Sequence, residues 1–404
     1  MIKTVKISNF KSVQDLEIDL GRLNVFIGEN GCGKTSILEG IAMGSAAAQD
    51  KLDNEFLVSR GVRVTDTVLM RSAFNNTGNK KNIEIGFSTN KIENADFRIG
   101  LDDTNKHWIS EADSLTVDEY VSYKAKAEDN YLLSKAMLDN IIAELASYKS
   151  DNSKWIEARE KVLALMRSTK NSLEEVEMFR PIVVALENFL LYAPENYFLR
   201  RFEEEGQIRP LGIRGEGLFS HLVELSKETP ETFAAIADNL SLIDWYGGFS
   251  IPNDLQFTER RIAITDRFIS DTIKNFDQRS ANEGFLYLLF YFTLFLSKWT
   301  PKFFAIDNVD NALNPRLCAK LIEILARLAK EQDKQAILTT HNPAILDGLD
   351  LTDDDQRLFV IYRNADGATQ ARRVKPLQAL PGVEPVRLSE AFVRGYLGGL
   401  PKNF

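Results

Sequence analysis

The chain has 404 residues, 44% hydrophobic and 26% charged, with 23 glycines and 12 prolines in no period. That excludes collagenous, mucin-like and low-complexity chains and suits two to three domains, or one large domain with an insertion. Its 49 Lys and Arg against 58 Asp and Glu give a net charge of −9, which argues against a chain that coats nucleic acid. Cys32 and Cys318 make no disulfide framework and fit a reducing cytoplasm. The greasiest stretch, FLYLLFYFTLF at 285–295, is about half the roughly 20 apolar residues that a bilayer crossing takes, so it reads as a buried helix. The opening MIKTVKISNF lacks the apolar core of a secretory signal. A cytoplasmic protein without membrane contact is expected.

In chain order, apolar residues alternate at Ile2, Val5 and Ile7, at Leu16, Ile18 and Leu20, and at Leu23, Val25 and Ile27. The pattern predicts a hairpin-like pair of strands, then a strand LNVFIG that enters a glycine-rich turn. A helix should follow from about Lys34 to Ala48. Runs of strand character over 60–108 (VRVTDTVLMRSAF, IEIGFST, FRIGLD), broken by NNTGNKKN and DDTNK, predict an antiparallel sheet beside it. From about 110 to 189 glycine vanishes, and Leu132, Ala136, Leu138, Ile142 and Leu145 recur at helical spacing. Two or three helices turning at 147–154 fit, and the heptads are too short-lived for a long coiled coil. Beyond the charged patch LRRFEEEGQIR come a helix from Phe219 to Leu225 and the apolar helix over 284–299. Strand FFAID, amphipathic helix LCAKLIEILARLAKEQ, strand QAILTT and a hairpin of RLFVIYR with ATQARRV follow. Strand–helix–strand alternation over 300–345 predicts a parallel sheet with right-handed crossovers. The division expected is an N-terminal lobe at 1–108, a helical insertion at 109–204 and a C-terminal lobe at 205–404.

Gly28-Glu29-Asn30-Gly31-Cys32-Gly33-Lys34-Thr35 satisfies G-x-x-x-x-G-K-[ST] between an apolar strand and a helix. Glycines let backbone N–H groups curl around a phosphate, and the helix N-terminus adds its positive end. Lys34 would reach the β- and γ-phosphates and the Thr35 hydroxyl would ligate Mg²⁺. Mg²⁺ also needs a carboxylate on a neighbouring strand, and Asp307 ends the apolar FFAID. His341 ends QAILTT in the same way, whereas His107 and His221 have no such setting and read as structural.

Asn9-Phe10-Lys11-Ser12, the phosphate loop, IDNVDNALNP (306–315) and TTHNPAIL (339–346) together resemble ATP-binding cassette ATPases of the RecF/SMC/OLD type. More narrowly, they are similar to the stand-alone AAA-type ATPase subunits of bacterial anti-phage defence systems such as Septu and PARIS, as is the ending LSEAFVRGYLGGLP. The resemblance covers 1–48 and roughly 205–404. It implies an α/β P-loop NTPase: an ABC-type ATPase head with a mixed sheet, an antiparallel β-subdomain and a helical insertion. It implies ATP and Mg²⁺, held by Gly28, Asn30, Gly31, Gly33, Lys34, Thr35 and Ser36 with Lys11, and Thr35 and Asp307 on the metal. Asp307 then matches the Walker B aspartate, His341 the switch histidine and Asn311–Asn314 the D-loop. Ser280–Gly284 stands where the signature belongs, with Gly284 as its glycine and Asn282 in place of the usual serine. That stretch would be offered to the nucleotide of a second protomer.

One departure concerns catalysis. The family's catalytic glutamate after Walker B is Asn308 here, and an amide orients water but takes no proton. Either hydrolysis is slow and ATP works as a clamp, or Asp310 substitutes. The leading expectation is a switch that forms a homodimer or higher even oligomer around ATP and gates a separate effector, a nuclease or toxin encoded nearby. The alternative is a RecF-like ATPase that binds DNA through Arg357, Arg363, Arg372, Arg373, Lys375, Arg387 and Arg394.

Overall fold

The computed structural model describes residues 1–49, 51–74, 82–89, 95–101, 107–112, 185–202, 208–252, 259–270, 273, 275–376 and 386–399. The expected insertion helices, including Leu132 to Leu145, lie outside the described residues.

Strands β1 (Ile2–Phe10) and β2 (Val13–Asp19) form the expected antiparallel pair, and β3 (Leu23–Ile27) follows with every residue buried. Helix α1 (Lys34–Ala47) is buried along its whole length from Ile37, because it is wedged between two sheets. On one side lies an antiparallel sheet ordered β2-β1-β4-β5-β6, whose last three strands are β4 (Ile83–Thr89), β5 (Ala95–Leu101) and β6 (Trp108–Ala112). A Cβ at Gly44 would come within 2.6 Å of Ile85, so a glycine there lets the helix lie close on the sheet.

On the other side lies a six-stranded mixed sheet, β13-β12-β3-β11-β10-β7. Its members besides β3 are β7 (Leu191–Tyr192), β10 (Phe303–Ile306), β11 (Gln335–Thr340), β12 (Gln356–Arg363) and β13 (Thr369–Val374), and between β7 and β10 the chain makes a separate antiparallel pair, β8 (Tyr246–Ser250) and β9 (Ala263–Asp266). All neighbours in the mixed sheet pair in parallel except β12 and β13, the expected terminal hairpin.

Short α2 (Asn54–Ser59) and α3 (Thr67–Met70) follow α1 and pack into the core around it. The far face of the mixed sheet carries a second core, built by the helices that follow β7. The first of these is α4 (Asn196–Arg201). Then come α5 (Leu218–Glu228), α6 (Pro230–Leu240), α7 (Glu283–Leu296), α8 (Pro315–Glu331) and α9 (Leu388–Val393). Helix α7 is the apolar stretch, and every residue from Phe285 to Leu296 is buried. A helix apolar all round needs a core on all sides, and α7 has one. Among the described residues no helix is long and apolar enough to cross a membrane.

Two expectations are corrected. The run VRVTDTVLMRSAF is no strand: Asp66 accepts a hydrogen bond from the Val68 amide at 3.0 Å and starts the single turn α3. That bond uses an amide a sheet ladder would need, and Val68 and Leu69 stay exposed. The boundary at 204 also moves. Residues 191–192 pair with β10, so the end of the stretch assigned to the insertion is part of the central sheet.

Lys334, just before β11, is buried beneath α7. Its ammonium donates to the carbonyls of Leu294 (2.8 Å) and Pro301 (3.4 Å) and to the Thr300 hydroxyl. Burial, with Lys302 adding like charge, lowers it from 10.5 to about 7. Between those values the unfolded chain holds a proton that the folded chain has released, so stability rises with pH across that window and is flat below it. We expect the melting temperature of the wild type to climb relative to Lys334→Met between about pH 7.5 and about pH 10. Parallel profiles would show that the ammonium stays charged inside the fold.

Candidate functional site

Parallel β3, β11 and β10 lie side by side, with Ile27 opposite Thr340 and Ile306 opposite Leu338. The three sequence signals that end these strands therefore share one edge of the sheet, the carboxyl edge, where ligands of open α/β sheets bind. Gly28 leaves β3 into the phosphate loop, Asp307 leaves β10 and His341 leaves β11.

In the loop, Gly31 (φ 73°) and Gly33 (φ 107°) have left-handed backbone that other residues adopt poorly. Asn30 and Gly31 form the exposed tip, and Ser36 is half-buried on the first turn of α1. Lys34 is buried, and its ammonium donates to the carbonyls of Gly28 (2.8 Å) and Glu29 (3.0 Å). It stands 3.4 Å from His341 Nδ1. Burial lowers the Lys34 ammonium below its usual range, against the pull of Cys32, Asp307 and Asp310. His341 is lowered as well, by partial burial first and then by Lys34, so it is a neutral ring at neutral pH.

Thr35 donates from its hydroxyl to Asp307 Oδ2 at 3.0 Å. A hydroxyl and a carboxylate side by side are the hard oxygen donors that Mg²⁺ takes, and the residues present fit that ion. Among the described residues no three His, Cys, Asp or Glu side chains gather as a metal site of their own. The Thr339 hydroxyl donates to Asp307 Oδ1, and its oxygen accepts from the Asn308 amide at 2.9 Å. Thr340 donates to Asp310 Oδ1 at 2.6 Å. Asn308 itself has a left-handed backbone (φ 54°).

The other predicted residues lie elsewhere. Lys11, in the turn between β1 and β2, donates to Glu39 on α1 (2.7 Å) and to the Arg63 carbonyl (3.1 Å). Its contacts are with that pair and not with the phosphate loop. Asn282 caps α7, accepting from the Phe285 amide at 2.8 Å. Gly284 faces the turn that follows β10, where an added Cβ would lie 3.1 Å from the Ala312 carbonyl. Asn311, in that turn, is exposed and donates its amide to the Asn308 carbonyl (3.2 Å). A cleft of about 1530 Å³ runs beside these residues, lined also by the start of α8 and by Val386–Leu388.

Two polar residues here, Glu39 and Arg63, were not singled out from the sequence. Glu39 is fully buried and binds both Lys11 and Arg63 (2.7 Å each), and the charge of Asp307 reaches Arg63. A carboxylate inside a strongly apolar helix is a signal the sequence offered, since burial demands a paired cation. Arg200 on α4 donates to the carbonyls of Arg279 (2.6 Å) and Ala281 (2.8 Å), bracing the loop that leads to Asn282. Arg214 pairs with Glu216 at 2.8 Å. His221 is structural, buried and 2.8 Å from Ser297 Oγ.

Phosphate loop, strand-end aspartate and strand-end histidine on one mixed sheet, with an antiparallel sheet across α1, define a P-loop ATPase head of the ABC type. The fold agrees with a solved Smc head bound to the C-winged helix domain of ScpA, with a TM-score of 0.52, 12% identity and 93% of this chain on 97% of that one. The Smc head of Pyrococcus furiosus, bound to the C-terminal domain of ScpA, aligns with a TM-score of 0.47 and 14% identity, 93% of this chain on 96% of that one. Residues 23–347 match the family described as "AAA domain, putative AbiEii toxin, Type IV TA system", and the chain belongs to that family. Membership implies a nucleotide and usually Mg²⁺. An uncharacterized protein of Methanocaldococcus jannaschii, MJECL10, is 36% identical over 67 residues, 15% of this chain. The chain spans only 31% of that relative's length.

Proposed function

We propose that the chain is a slow ATPase switch, in which two copies close around ATP and their opening and closing controls a separate effector protein. The observation that carries this reading is the meeting of Lys34, Thr35, Asp307 and His341 at one sheet edge, while Asn282 and Gly284 face the D-loop turn. The exposed α7 N-terminus, capped by Asn282 and carrying Glu283 in its first turn, offers the partial positive charge of a helix end to the nucleotide of a second copy.

In this reading the loop amides and Lys34 hold the phosphates, Thr35 and Asp307 hold Mg²⁺, and neutral His341 donates a hydrogen bond near the γ-phosphate. Bound Mg²⁺ supplies charge neutralisation on the phosphates. Asn308 orients water without taking its proton. Asp310 accepts from the Thr340 hydroxyl on Oδ1, which supports a role in bracing the turn that carries His341 over that of the missing base. The slow alternative is therefore favoured. The movement would pass to the stretch expected as a helical insertion, with residues 185–201 taken into the head.

The family's description as a putative AbiEii toxin of a type IV toxin–antitoxin system supports a defence role, and the ScpA-bound Smc head supports a partner docked on the head. The RecF-like reading draws less support, because five of the seven basic residues named for it are engaged within the chain. Arg357 and Arg373 bind Asp354, Arg394 binds Glu390, Arg372 binds the Leu397 carbonyl and Arg363 binds the Gly31 carbonyl.

Mass measured in solution tests the proposal. Mg·ATP should double the mass of the wild type and leave Lys34→Ala unchanged. A wild type that binds ATP and remains monomeric would overturn the two-copy reading.

A further inference from the structure

The floor of the phosphate loop is the β12–β13 hairpin, more than 300 residues further along the chain. Thr369, fully buried at the start of β13, lies 2.9 Å from the Cys32 carbonyl oxygen and 2.8 Å from Ser12 Oγ. A hydroxyl has one proton, so Thr369 donates to the Cys32 carbonyl and accepts from Ser12. Its own amide donates to the Ser12 carbonyl at 2.8 Å, which fixes the side chain's origin. Arg363, at the end of β12, donates from Nε to the Gly31 carbonyl at 2.8 Å. The approach is close: an added Cβ at Gly33 would lie 2.0 Å from Thr369 Oγ1, and one at Gly28 would lie 2.1 Å from the Ile361 carbonyl.

A peptide group is planar and trans, so its C=O and the following N–H point in opposite directions. Holding the Cys32 carbonyl on Thr369 therefore turns the Gly33 N–H away from the hairpin. We propose that Thr369, assisted by Arg363, is a positioning residue for nucleotide binding: it sets the Cys32–Gly33 peptide so that the Gly33 N–H is aimed at a phosphate before one arrives. The glycine at 33 serves two needs, the left-handed backbone and the approach of Thr369. Without this latch the peptide is free to rotate, and phosphate binding must bear the entropy of ordering it.

The inference rests on the proposed ATP site, and one set of titrations separates the two. Mg·ATP is titrated into the full-length wild type, Thr369→Val, Thr369→Ser, Arg363→Ala and Lys34→Ala, with melting temperature and steady-state turnover measured on each. Valine keeps the shape of threonine and deletes the hydroxyl. It should raise Kd and KM about tenfold, the loss of one buried hydrogen bond, with kcat unchanged, and serine should restore both. Arg363→Ala, on an exposed side chain, should raise Kd about threefold without a change in melting temperature. A merely structural role would lower kcat through loss of folded protein and leave Kd alone. Unchanged affinity in both Thr369→Val and Arg363→Ala, beside a binding wild type and a non-binding Lys34→Ala, overturns the latch and spares the site. If Thr369→Val does not fold, unchanged affinity in Arg363→Ala decides against it. A wild type that binds no Mg·ATP overturns latch and site together.

Discussion

Asn308→Glu should raise ATP turnover at saturating ATP by about a hundredfold, the lower end of what a positioned general base contributes. Asn308 directly follows Asp307, its backbone amide is held by Thr339 Oγ1 at 2.9 Å, and it is half-buried at the carboxyl edge of the sheet. A carboxylate there would stand where the amide stands, with a place for the water's proton. The substitution has a structural cost, because residue 308 has φ of 54° and Asn tolerates that region better than Glu. A destabilisation of about 1 kcal/mol is therefore expected, within the range for such backbone strain, and a lower melting temperature should accompany the faster turnover. The ATP-induced dimer of the variant should also be short-lived, since faster hydrolysis empties the state that holds it closed. Turnover that is unchanged in Asn308→Glu and collapses in Asp310→Asn would move the base to Asp310 and end the clamp reading.

The phosphate loop was legible because it demands glycines, a lysine and a threonine at fixed spacing, and Asp307 and His341 because each ends an apolar strand beside it. The apolar helix at 285–295 was legible from composition alone. What escaped were contacts with no local pattern. Thr339 and Thr369 are ordinary strand residues until the sheet order sets one against Asp307 and the other under Cys32. Arg200 lies in the charged patch LRRFEEEGQIR, where no local pattern singles it out, and only the fold brings it to the carbonyls before Asn282. The run at 62–74 misled because, among the described residues, its alternation meets only the single bridge from Phe10 to Arg71. Lys11 belongs to a motif the sequence identified, yet its ammonium serves Glu39, a partner that periodicity could not name.

Asp307→Asn should cut turnover at least a hundredfold while leaving the fold in place. Loss of a metal's charge stabilisation of several kcal/mol corresponds to that factor or more, at 1.36 kcal/mol per tenfold. The fold is spared because asparagine keeps the shape and keeps one acceptor oxygen for the Thr339 hydroxyl. The Thr35 hydroxyl, which donates to Asp307 Oδ2 at 3.0 Å, rotates to accept from the new amide instead. What disappears is the negative charge beside Thr35, and with it the pull on a divalent cation. Wild-type affinity for ATP should therefore fall when Mg²⁺ is replaced by a chelator, whereas the variant's affinity should be much the same in both conditions. The charge of Asp307 also acts on Lys34, holding its ammonium up against burial. Its removal should lower the pH above which ATP binding weakens. If Asp307→Asn retains Mg²⁺-dependent binding and turnover, the carboxylate belongs to the strand-end hydrogen bonds alone, and the metal must be sought on other oxygens.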